Sequence, residues 1–438
     1  MATSEAASAP AKVEAKPKRI AGAIITGHAF QHMYADGFLV LLPAIYDAFG
    51  LTAISAGLLS MVRQGAAGLL TMGGGFMVDM FSGRRGLLLS GSLFLMGLGY
   101  MLVAAAPSYT ILLIALAMAS AAGSFWHPVG LGILSLTFPE RRGLMMSLHR
   151  SAGNIGEIVT PAIVVVALLV ITWRQILFSG FLLMTLVSIG LFLFLARVGV
   201  ESAVTPKPRD ARGVGAQMRD IRELFKGRAL PALMLLSGLR GMADRSFIFF
   251  LPLFVAQRLR ETDPEVTMVA IGAWTATYLI VMSVAALLIP PVLGWLSDRV
   301  GRRPVIIGAL IGSASVLGLL SIFNEVGSFF SMFTLLIAAL GAARYAVTNI
   351  TQAASLDIAE GHHLEGTMIG LMWGNNAAFG AIAPLLIGIL VSTLSAPGEE
   401  DYVIIFPYGM VMNLLALGAA IFLPATLRTR APASQGDS

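Results

Sequence analysis

The chain has no cysteine and very little charge. Its 438 residues contain no Cys, and Asp, Glu, Lys and Arg together make up only 12%. Without thiols, the chain has no disulfide or thiolate chemistry available. With so few charged side chains, it cannot give a soluble globule of this size a polar surface. These absences exclude a disulfide-rich secreted domain and an ordinary soluble protein.

Apolar residues dominate instead, and they occur in long runs. They make up 57% of the chain, and the mean hydropathy is +0.82. Runs bounded by Gly, Pro and charged residues predict twelve spans, which at about 20 residues each need roughly 240 residues. The pattern indicates an all-α membrane protein with twelve transmembrane helices in two pseudo-symmetric six-helix bundles.

Hydrophilic tails and one hydrophilic linker divide the spans. We expect a disordered cytoplasmic tail at 1–19, an N-terminal six-helix bundle at 20–196, a cytoplasmic linker at 197–229, a C-terminal six-helix bundle at 230–427 and a cytoplasmic tail at 428–438. Within the linker, the helical spacing of Met218, Ile221, Leu224 and Phe225 predicts an amphipathic helix on the inner leaflet, with its Arg side chains near anionic headgroups.

Basic residues are concentrated on one side of the predicted spans. With the amino terminus inside, cytoplasmic tails and loops hold 21 of the 29 Lys and Arg. These are the four at 12–19, Arg84, Arg85, Arg141, Arg142, the eight between 197 and 228, Arg299, Arg302, Arg303, Arg428 and Arg430. The positive-inside rule then predicts two cytoplasmic termini and a place in the inner membrane. This placement explains the isoelectric point near 9.6 without nucleic acid as a partner.

One charged element occurs twice at about half the chain length. The sequence G-F-M-V-D-M-F-S-G-R-R runs from Gly75 to Arg85, and G-W-L-S-D-R-V-G-R-R runs from Gly294 to Arg303. A second pair of segments, R-G…P at 142–161 and E-G…P at 365–384, repeats at a similar offset. Two such anchors predict homologous halves that face each other across a central site.

The repeated element resembles the signature loop between the second and third helices of each half in the Major Facilitator Superfamily. The resemblance implies a secondary transporter that works by alternating access. The charged residues of the two loops are then expected to cap the following helix or to pair across the inner gate. They are Asp79, Arg84, Arg85, Asp298, Arg302 and Arg303.

A shorter stretch resembles one branch of that superfamily. F-W-H-P at 125–128, followed by G-N-I-G at 153–156, is similar to the fosmidomycin-resistance branch of drug exporters. This similarity keeps drug or antibiotic efflux by antiport as an alternative to general solute transport.

Five arginines lie inside predicted spans, where ionisable groups are costly and usually functional or paired. In the facilitator fold the helices concerned line the central cavity, so the resemblance implies a water-filled site with positive charge from both halves. Only three carboxylates accompany the arginines, which leaves a surplus near +2 and predicts an anionic substrate. The predicted contacts are Arg63, Arg150, Arg240, Arg245 and Arg344, with Asn375 and Asn376 as hydrogen-bond donors to the substrate or between helices.

Acid–base pairs inside the spans suggest proton coupling. His28, His32 and Asp36 follow at i, i+4 and i+8 on one helix face. Histidine exchanges protons near neutral pH, so His32 and Asp36, with Glu157 and Asp244, are candidates to carry the coupling proton. One alternative is that these side chains only form hydrogen bonds between helices. A second is that Glu157 or Asn154 neutralises Arg150, and Asp244 neutralises Arg240, in a purely structural role. A third is a metal site for the His-His-Asp set, which has no fourth ligand nearby.

No catalytic motif accompanies these residues. The chain has no G-x-S-x-G elbow, no H-E-x-x-H and no Walker lysine. We therefore expect no enzyme activity, no cofactor, no resident metal and no ATP-driven transport. The predicted function is secondary transport of a small, anionic organic solute by a monomer, coupled to protons. A membrane sensor or scaffold is the alternative from a different class, and unpaired arginines in a membrane argue against it.

Overall fold

The computed structural model describes residues 16–80, 83–203, 214–359 and 365–424. Side chains are described at these positions except 72–80, 139, 142, 143, 203, 214–218, 220, 359, 365–367 and 369. All regular secondary structure within these ranges is helical.

The first half contributes six long helices. They are α1 (Pro17–Ala48), α2 (Ala53–Met80), α3 (Arg85–Ala105), α4 (Tyr109–Thr137), α5 (Arg142–Leu168) and α6 (Trp173–Arg197). Because α1 begins at Pro17, the residues just before 20 are helical rather than part of a disordered tail. The short α7 (Val200–Ala203) and the linker helix α8 (Val214–Lys226) follow.

The second half repeats the arrangement. Its helices are α9 (Ala229–Thr262), α10 (Met268–Val300), α11 (Arg302–Leu320), α12 (Met332–Ala359), α13 (Glu365–Leu394) and α14 (Ile405–Ala420). They correspond to the seventh to twelfth predicted spans. The second pair of sequence anchors falls at equivalent places, since α5 and α13 begin at Arg142 and Glu365 and contain Pro161 and Pro384. Short connections reverse the chain between neighbouring helices, as in other helix bundles. We call the end where α1 and α9 begin the terminal end, and the other the distal end.

Ten of the helices are long and apolar enough to cross a membrane. The long helices α1 and α9 do not meet that criterion, and they are the first helices of the two halves. Every 18-residue window of α9 contains at least three charged side chains, and α1 carries His28, Gln31, His32 and Asp36. Outward apolar side chains such as Leu186 and Leu193 of α6 are exposed, as expected for a lipid-facing helix. The polar side chains of α1 and α9 instead contact other helices of the protein, as His28 does at the His149 carbonyl.

The two halves contact each other along α2 with α13 and α5 with α10. Glycines make the α2–α13 contact close, because the backbone carbonyl of Pro384 would lie 2.5 Å from a Cβ on Gly57. Gly388 faces the carbonyl of Ala53 in the same way. Backbones approach this closely only where side chains are absent, as in other membrane helix pairs.

Polar contacts close the distal end. Glu400 of the second half accepts a hydrogen bond from the Tyr46 hydroxyl, and its other oxygen accepts the backbone N–H of Ala53 at 2.7 Å, at the start of α2. Arg260 of α9 forms an ion pair with Asp47 of α1 at 2.5 Å. A carboxylate at a helix N-terminus is stabilised by the exposed N–H groups there. We call these contacts the distal latch.

The linker helix lies against protein. Ile221 and Leu224 of α8 pack on Leu230 of α9 and Met368 of α13. The prediction of a helix in this segment agrees with α8. Ile221 and Leu224 are only half-buried and Phe225 is exposed, so contact of α8 with the inner leaflet stays a prediction. An amphipathic pattern requires only some apolar surface, and the second half provides it. Met218 lies outside the described side chains.

Candidate functional site

The five intramembrane arginines converge between the two halves. Arg63 of α2 and Arg150 of α5 come from the first half, and Arg240, Arg245 and Arg344 come from α9 and α12 of the second. Arg245 lies within electrostatic range of both Arg63 and Arg344, and Arg344 lies within range of Arg150. Sequence reasoning predicted this group from the cost of placing each charge in a membrane.

Glu157 is the centre of the first-half charges. Its Oε1 lies 3.3 Å from Nη2 of Arg150 and 3.3 Å from Nδ1 of His32. The same His32 nitrogen lies 3.0 Å from Oδ2 of Asp36. One imidazole nitrogen thus faces two carboxylates, so a proton on His32 would be shared between them. The predicted Arg150–Glu157 pair is present.

Asp244 is the centre of the second-half charges. Arg240 donates to Asp244 at 3.0 Å, as the i, i+4 spacing predicted, and Nε of Arg344 lies 3.4 Å from the other carboxylate oxygen. Arg240 also donates to Oδ1 of Asn413 at 2.8 Å and to the Arg344 carbonyl at 3.1 Å. Sequence reasoning missed Asn413, a lone polar side chain in the apolar run of α14. Arg240 is only 3% exposed, so this pairing neutralises a fully buried charge.

Tyr345 joins the two centres. Its hydroxyl donates to Oε2 of Glu157 at 3.0 Å. Its ring lies 5.1 Å from the Arg150 guanidinium and 4.9 Å from that of Arg344, within cation–π range on both sides. Tyr345 therefore links a carboxylate of one half to an arginine of the other, a role that its neighbours in sequence did not indicate.

Two of the arginines have no carboxylate partner. Within the described residues, neither Arg63 nor Arg245 forms an ion pair. Arg63 donates to the Ala35 carbonyl at 3.1 Å and lies 5.6 Å from the Phe38 ring. The stem of Arg245 packs over Gly380, which has no side chain to obstruct it. Five guanidinium groups and three carboxylates therefore leave two positive charges in excess when the histidines are neutral.

The charged group borders water-accessible space. The Arg150 side chain is 46% exposed, although its contacts come from α1, α5 and the opposing α12. Asp36 is 26% exposed. Because Tyr345 of the second half lies beside Arg150 and Glu157, this accessible surface lies where the halves meet. We call the space there the cavity. Distal-latch contacts join the two halves at one end.

The two asparagines of α13 hold helices together. Asn375 donates to the Met234 carbonyl at 2.6 Å, and Asn376 donates to the Ser237 carbonyl at 3.0 Å. Both carbonyls belong to α9, so each amide already has one protein partner. This geometry favours the inter-helix alternative, and substrate contact by their remaining donors stays a prediction.

The predicted gate residues have local partners. Arg302 binds Asp298 and also Asp357 at 3.1 Å, and Arg303 donates to the Ile421 carbonyl at 2.9 Å. All of these residues belong to the second half. The Asp298–Arg302 pair therefore lies within one half, where it joins the end of α10 to the start of α11 across Gly301. A role of these residues in gating stays a prediction. Asp357, which lies near the helix end, is the additional partner. In the first-half loop, Arg85 is buried and Arg84 is exposed. The Asp79 side chain lies outside the described residues.

Two sets of side chains bring possible metal ligands together, and ring stacking disfavours a metal in one of them. Possible ligand atoms of His28, His127 and His149 lie within 4.8 Å of one another, as do those of His32, Asp36 and Glu157. However, the His28 and His149 rings stack at 3.6 Å with planes 16° apart. A metal is bound in the plane of each imidazole, and two nearly parallel planes do not meet at one ion. In the second set, the His32 nitrogen already contacts both carboxylates.

Two helical bundles with a charged cavity between them define a membrane transport protein, and sequence comparison gives the family. The sequence model of the Major Facilitator Superfamily matches residues 24–286 and again 233–438. The chain therefore belongs to the Major Facilitator Superfamily, as the repeated loop predicted. The family and its solved neighbours are membrane transporters rather than enzymes, and the expected twelve-helix, two-bundle fold is confirmed.

Individual relatives agree at lower similarity. The chain is 21% identical over 389 residues to the MFS-type transporter YfnC of Bacillus subtilis, which covers 88% of this chain and 90% of that protein. It is 28% identical over 147 residues to the fosmidomycin resistance protein of Escherichia coli, a match that spans 36% of that relative's length.

Among solved structures, the nucleoside transporter NupG superposes with a TM-score of 0.74 at 14% identity, covering 92% of this chain and 98% of NupG. An inward-facing, unoccupied bacterial homolog of the human lysosomal transporter Spinster has a TM-score of 0.67 at 14% identity, with 93% and 94% covered. At this identity the similarity concerns the fold.

Proposed function

We propose that this transporter moves a small organic anion by alternating access and couples the movement to protons. The observation that carries the proposal is the excess of guanidinium groups over carboxylates at the cavity between the halves. Protein charges of one sign are expensive there unless an opposite charge arrives. An anionic substrate would provide that charge.

Arg63 and Arg245 are the proposed substrate contacts because neither pairs with a carboxylate of the described residues. They belong to different halves, so an anion bound to both would hold the halves together. A guanidinium group presents paired N–H donors that match a carboxylate, phosphonate or phosphate. Arg150 and Arg344, on either side of Tyr345, would bind the same anion or an aromatic part of it.

The proposal for proton coupling rests on His32, Asp36 and Glu157. These three groups share one hydrogen-bonded contact within the cavity. A proton taken up there would weaken the hold of Glu157 on Arg150 and free that arginine for the substrate. Binding of the proton would then increase the affinity for the anion, and binding of the anion would increase the affinity for the proton. Such reciprocal effects couple the two ligands thermodynamically.

The conformation fits one side of such a cycle. The distal latch closes one end of the cavity, and the terminal end carries most of the basic loops. By the positive-inside rule, the terminal end and both chain termini would face the cytoplasm of a cell with an inner membrane. The described contacts would then correspond to a state closed towards the outside.

Uptake into proteoliposomes tests the anion. Radiolabelled fosmidomycin, succinate, benzoate and inorganic phosphate would each be offered under an imposed pH gradient. We expect Arg63→Gln and Arg245→Gln each to weaken apparent affinity about 10- to 100-fold, the value of a hydrogen bond to a charged group. Arg258→Gln is the matched control, since Arg258 pairs with Glu261 at the distal end. Unchanged uptake of every transported anion in both cavity variants would refute the proposal.

Asp36→Asn tests the proton. The variant should lose accumulation driven by the pH gradient, while exchange of labelled for unlabelled anion at equal pH continues. Asp36 is the cleaner choice than Glu157 because it does not contact Arg150 among the described pairs. Accumulation by Asp36→Asn at the wild-type rate would count against coupling through this carboxylate.

Antibiotic efflux is the second candidate. Similarity to the fosmidomycin resistance protein favours it, and an anionic antibiotic would satisfy the same arginines. A susceptibility panel compares cells that overexpress the protein with cells that lack it. Resistance confined to anionic drugs, and lost in Arg245→Gln, would support export.

A further inference from the structure

Four histidines form a continuous cluster between the cavity and the terminal end. His28 and His32 come from α1, His127 from α4 and His149 from α5. The His28 ring lies 3.6 Å from that of His149, 4.7 Å from that of His32 and 5.1 Å from that of His127, measured between centroids. His28 is thus the central member, and His32 joins the cluster to Asp36 and Glu157.

Two fully buried nitrogens of this cluster have no hydrogen-bond partner. Nδ1 of His28 lies 2.6 Å from the His149 carbonyl and must carry a hydrogen to bond with it. This leaves Nε2 of His28 as a free acceptor, and it is buried without a partner. Nε2 of His32 is buried and unpartnered as well. Buried nitrogens in proteins rarely lack a hydrogen-bond partner, so two such nitrogens on neighbouring rings indicate a functional role.

Gly153 of α5 makes room for the two rings. A methyl group placed there would lie 2.7 Å from Cε1 of His28 and 3.0 Å from Nε2 of His32. Cε1 is bonded to the free Nε2 of His28, so both free nitrogens lie beside the same backbone position. Any larger residue at 153 would push the rings away from it. The glycine-rich segment that resembles exporter sequences therefore has a local physical role in this chain.

We propose that His127, His28 and His32 conduct protons between the terminal end and the Asp36–Glu157 pair, with His149 positioning His28. This inference rests on the proposed proton coupling and names its route. A proton reaching His127 passes to Nε2 of His28 and then to Nε2 of His32. His32 releases the proton on Nδ1 to Asp36 or Glu157, so one proton enters and one leaves. The hydrogen left on Nε2 of His32 then exchanges to Nδ1 through water, which restores the first tautomer without returning a proton.

The residues around the histidine cluster favour transfer of a proton over its retention on one imidazole. Arg150 faces the cluster and repels a positive charge on His127 and His149, while Asp36 and Glu157 attract a proton at the cavity side. The other neighbours that the structure describes are uncharged. The indole of Trp126 on α4 donates to Nε2 of His149 at 3.3 Å, and Trp373 of α13 packs on His127 at 5.8 Å. A proton would therefore stay briefly on the outer imidazoles and move towards the carboxylates.

The test compares His28→Asn with wild type in proteoliposomes. Asparagine keeps a donor near the position of Nδ1 for the His149 carbonyl but has no counterpart of Nε2. The assay uses whichever of fosmidomycin, succinate, benzoate and inorganic phosphate the wild type accumulates. We expect accumulation driven by a pH gradient to slow about 100-fold, the scale of a lost proton-transfer group. Exchange at equal pH should be unchanged, which shows that the variant is folded and binds the anion.

Two further variants separate the route from a structural role. Gln31→Leu changes another buried polar residue of α1, one that donates weakly to the Gly123 carbonyl, and should leave driven accumulation within about twofold of wild type. Gly153→Ala should slow driven accumulation while leaving exchange intact, because it displaces both rings.

The outcomes distinguish the two proposals. If wild type shows no dependence on the pH gradient, proton coupling itself fails. If wild type is coupled and His28→Asn accumulates the anion at the same rate, only the histidine route fails. Equal losses of driven accumulation and of exchange in His28→Asn and in Gly153→Ala would also overturn the route, since they would mark a structural defect.

Discussion

Neutralising Asp244 should destabilise the protein far more than neutralising Glu157. Asp244 pairs with Arg240 and Arg344, whose side chains are 3% and 15% exposed. Asp244→Asn would leave two poorly hydrated guanidinium groups without a carboxylate. Removing one partner of a buried ion pair costs about 3–5 kcal/mol of unfolding free energy. We expect a loss in that range for this variant.

Glu157→Gln provides the contrast within the same cavity. Its arginine partner, Arg150, is 46% exposed and can be hydrated when the carboxylate is lost. Exposed pairs contribute about 1 kcal/mol or less. The new amide can still accept the Tyr345 hydroxyl. Chemical unfolding of the detergent-solubilised variants, followed by tryptophan fluorescence, should therefore rank the loss at Asp244→Asn at least twofold above that at Glu157→Gln.

A double variant checks the cause of the loss. Asp244→Asn with Arg344→Gln removes one of the two stranded charges, so part of the stability should return. Equal losses in the two single variants, or a further loss in the double variant, would refute the reasoning. Either result would mean that the guanidinium groups of the second half are hydrated or that Asp244 acts mainly through packing.

Three further predictions concern closure of the distal end, and the natural absence of cysteine simplifies them. The double variant Asp47→Cys with Arg260→Cys should form a disulfide when an oxidant is added. Reduction of that disulfide should restore uptake. If no disulfide forms under any condition, the closed state is contradicted. Glu400→Gln should open the distal end more often, measured as faster thiol labelling of the single Asp47→Cys reporter, because a neutral amide holds the α2 amino terminus less well. Gly388→Val should block close approach of α2 and α13 and reduce uptake at least tenfold, whereas Gly312→Ala, which has open space around it, should keep normal uptake.

Local helix geometry explains which site contacts could be predicted. The pairs Arg240–Asp244 and His32–Asp36 each span four residues, a spacing that brings side chains together on any α-helix. The Asp298–Arg302 pair is different, because it joins two helices across Gly301, and the sequence predicted helix capping or pairing across the inner gate for these residues. The i, i+4 rule predicts which side chains are neighbours on one helix, but it does not predict contacts with helices of the opposite half.

Contacts between helices lay beyond such rules. Tyr345 reaches Glu157 across 188 positions of sequence, and Arg240 reaches Asn413 across 173. The linker helix is a similar case, because its apolar residues fit either lipid or protein. In each case the packing of one helix against another determines the contact. Sequence periodicity does not predict which helices pack together.

Hydropathy, the duplicated loop and the cost of charge in a membrane were enough for the sequence to determine twelve spans, two related halves and five interior arginines. Tertiary structure alone decided which arginines keep a carboxylate and which remain for a substrate. It also placed His127 and His149 beside His28. The physical reason is that burial in lipid depends on each residue's own chemistry, whereas pairing depends on which helices meet and at what depth.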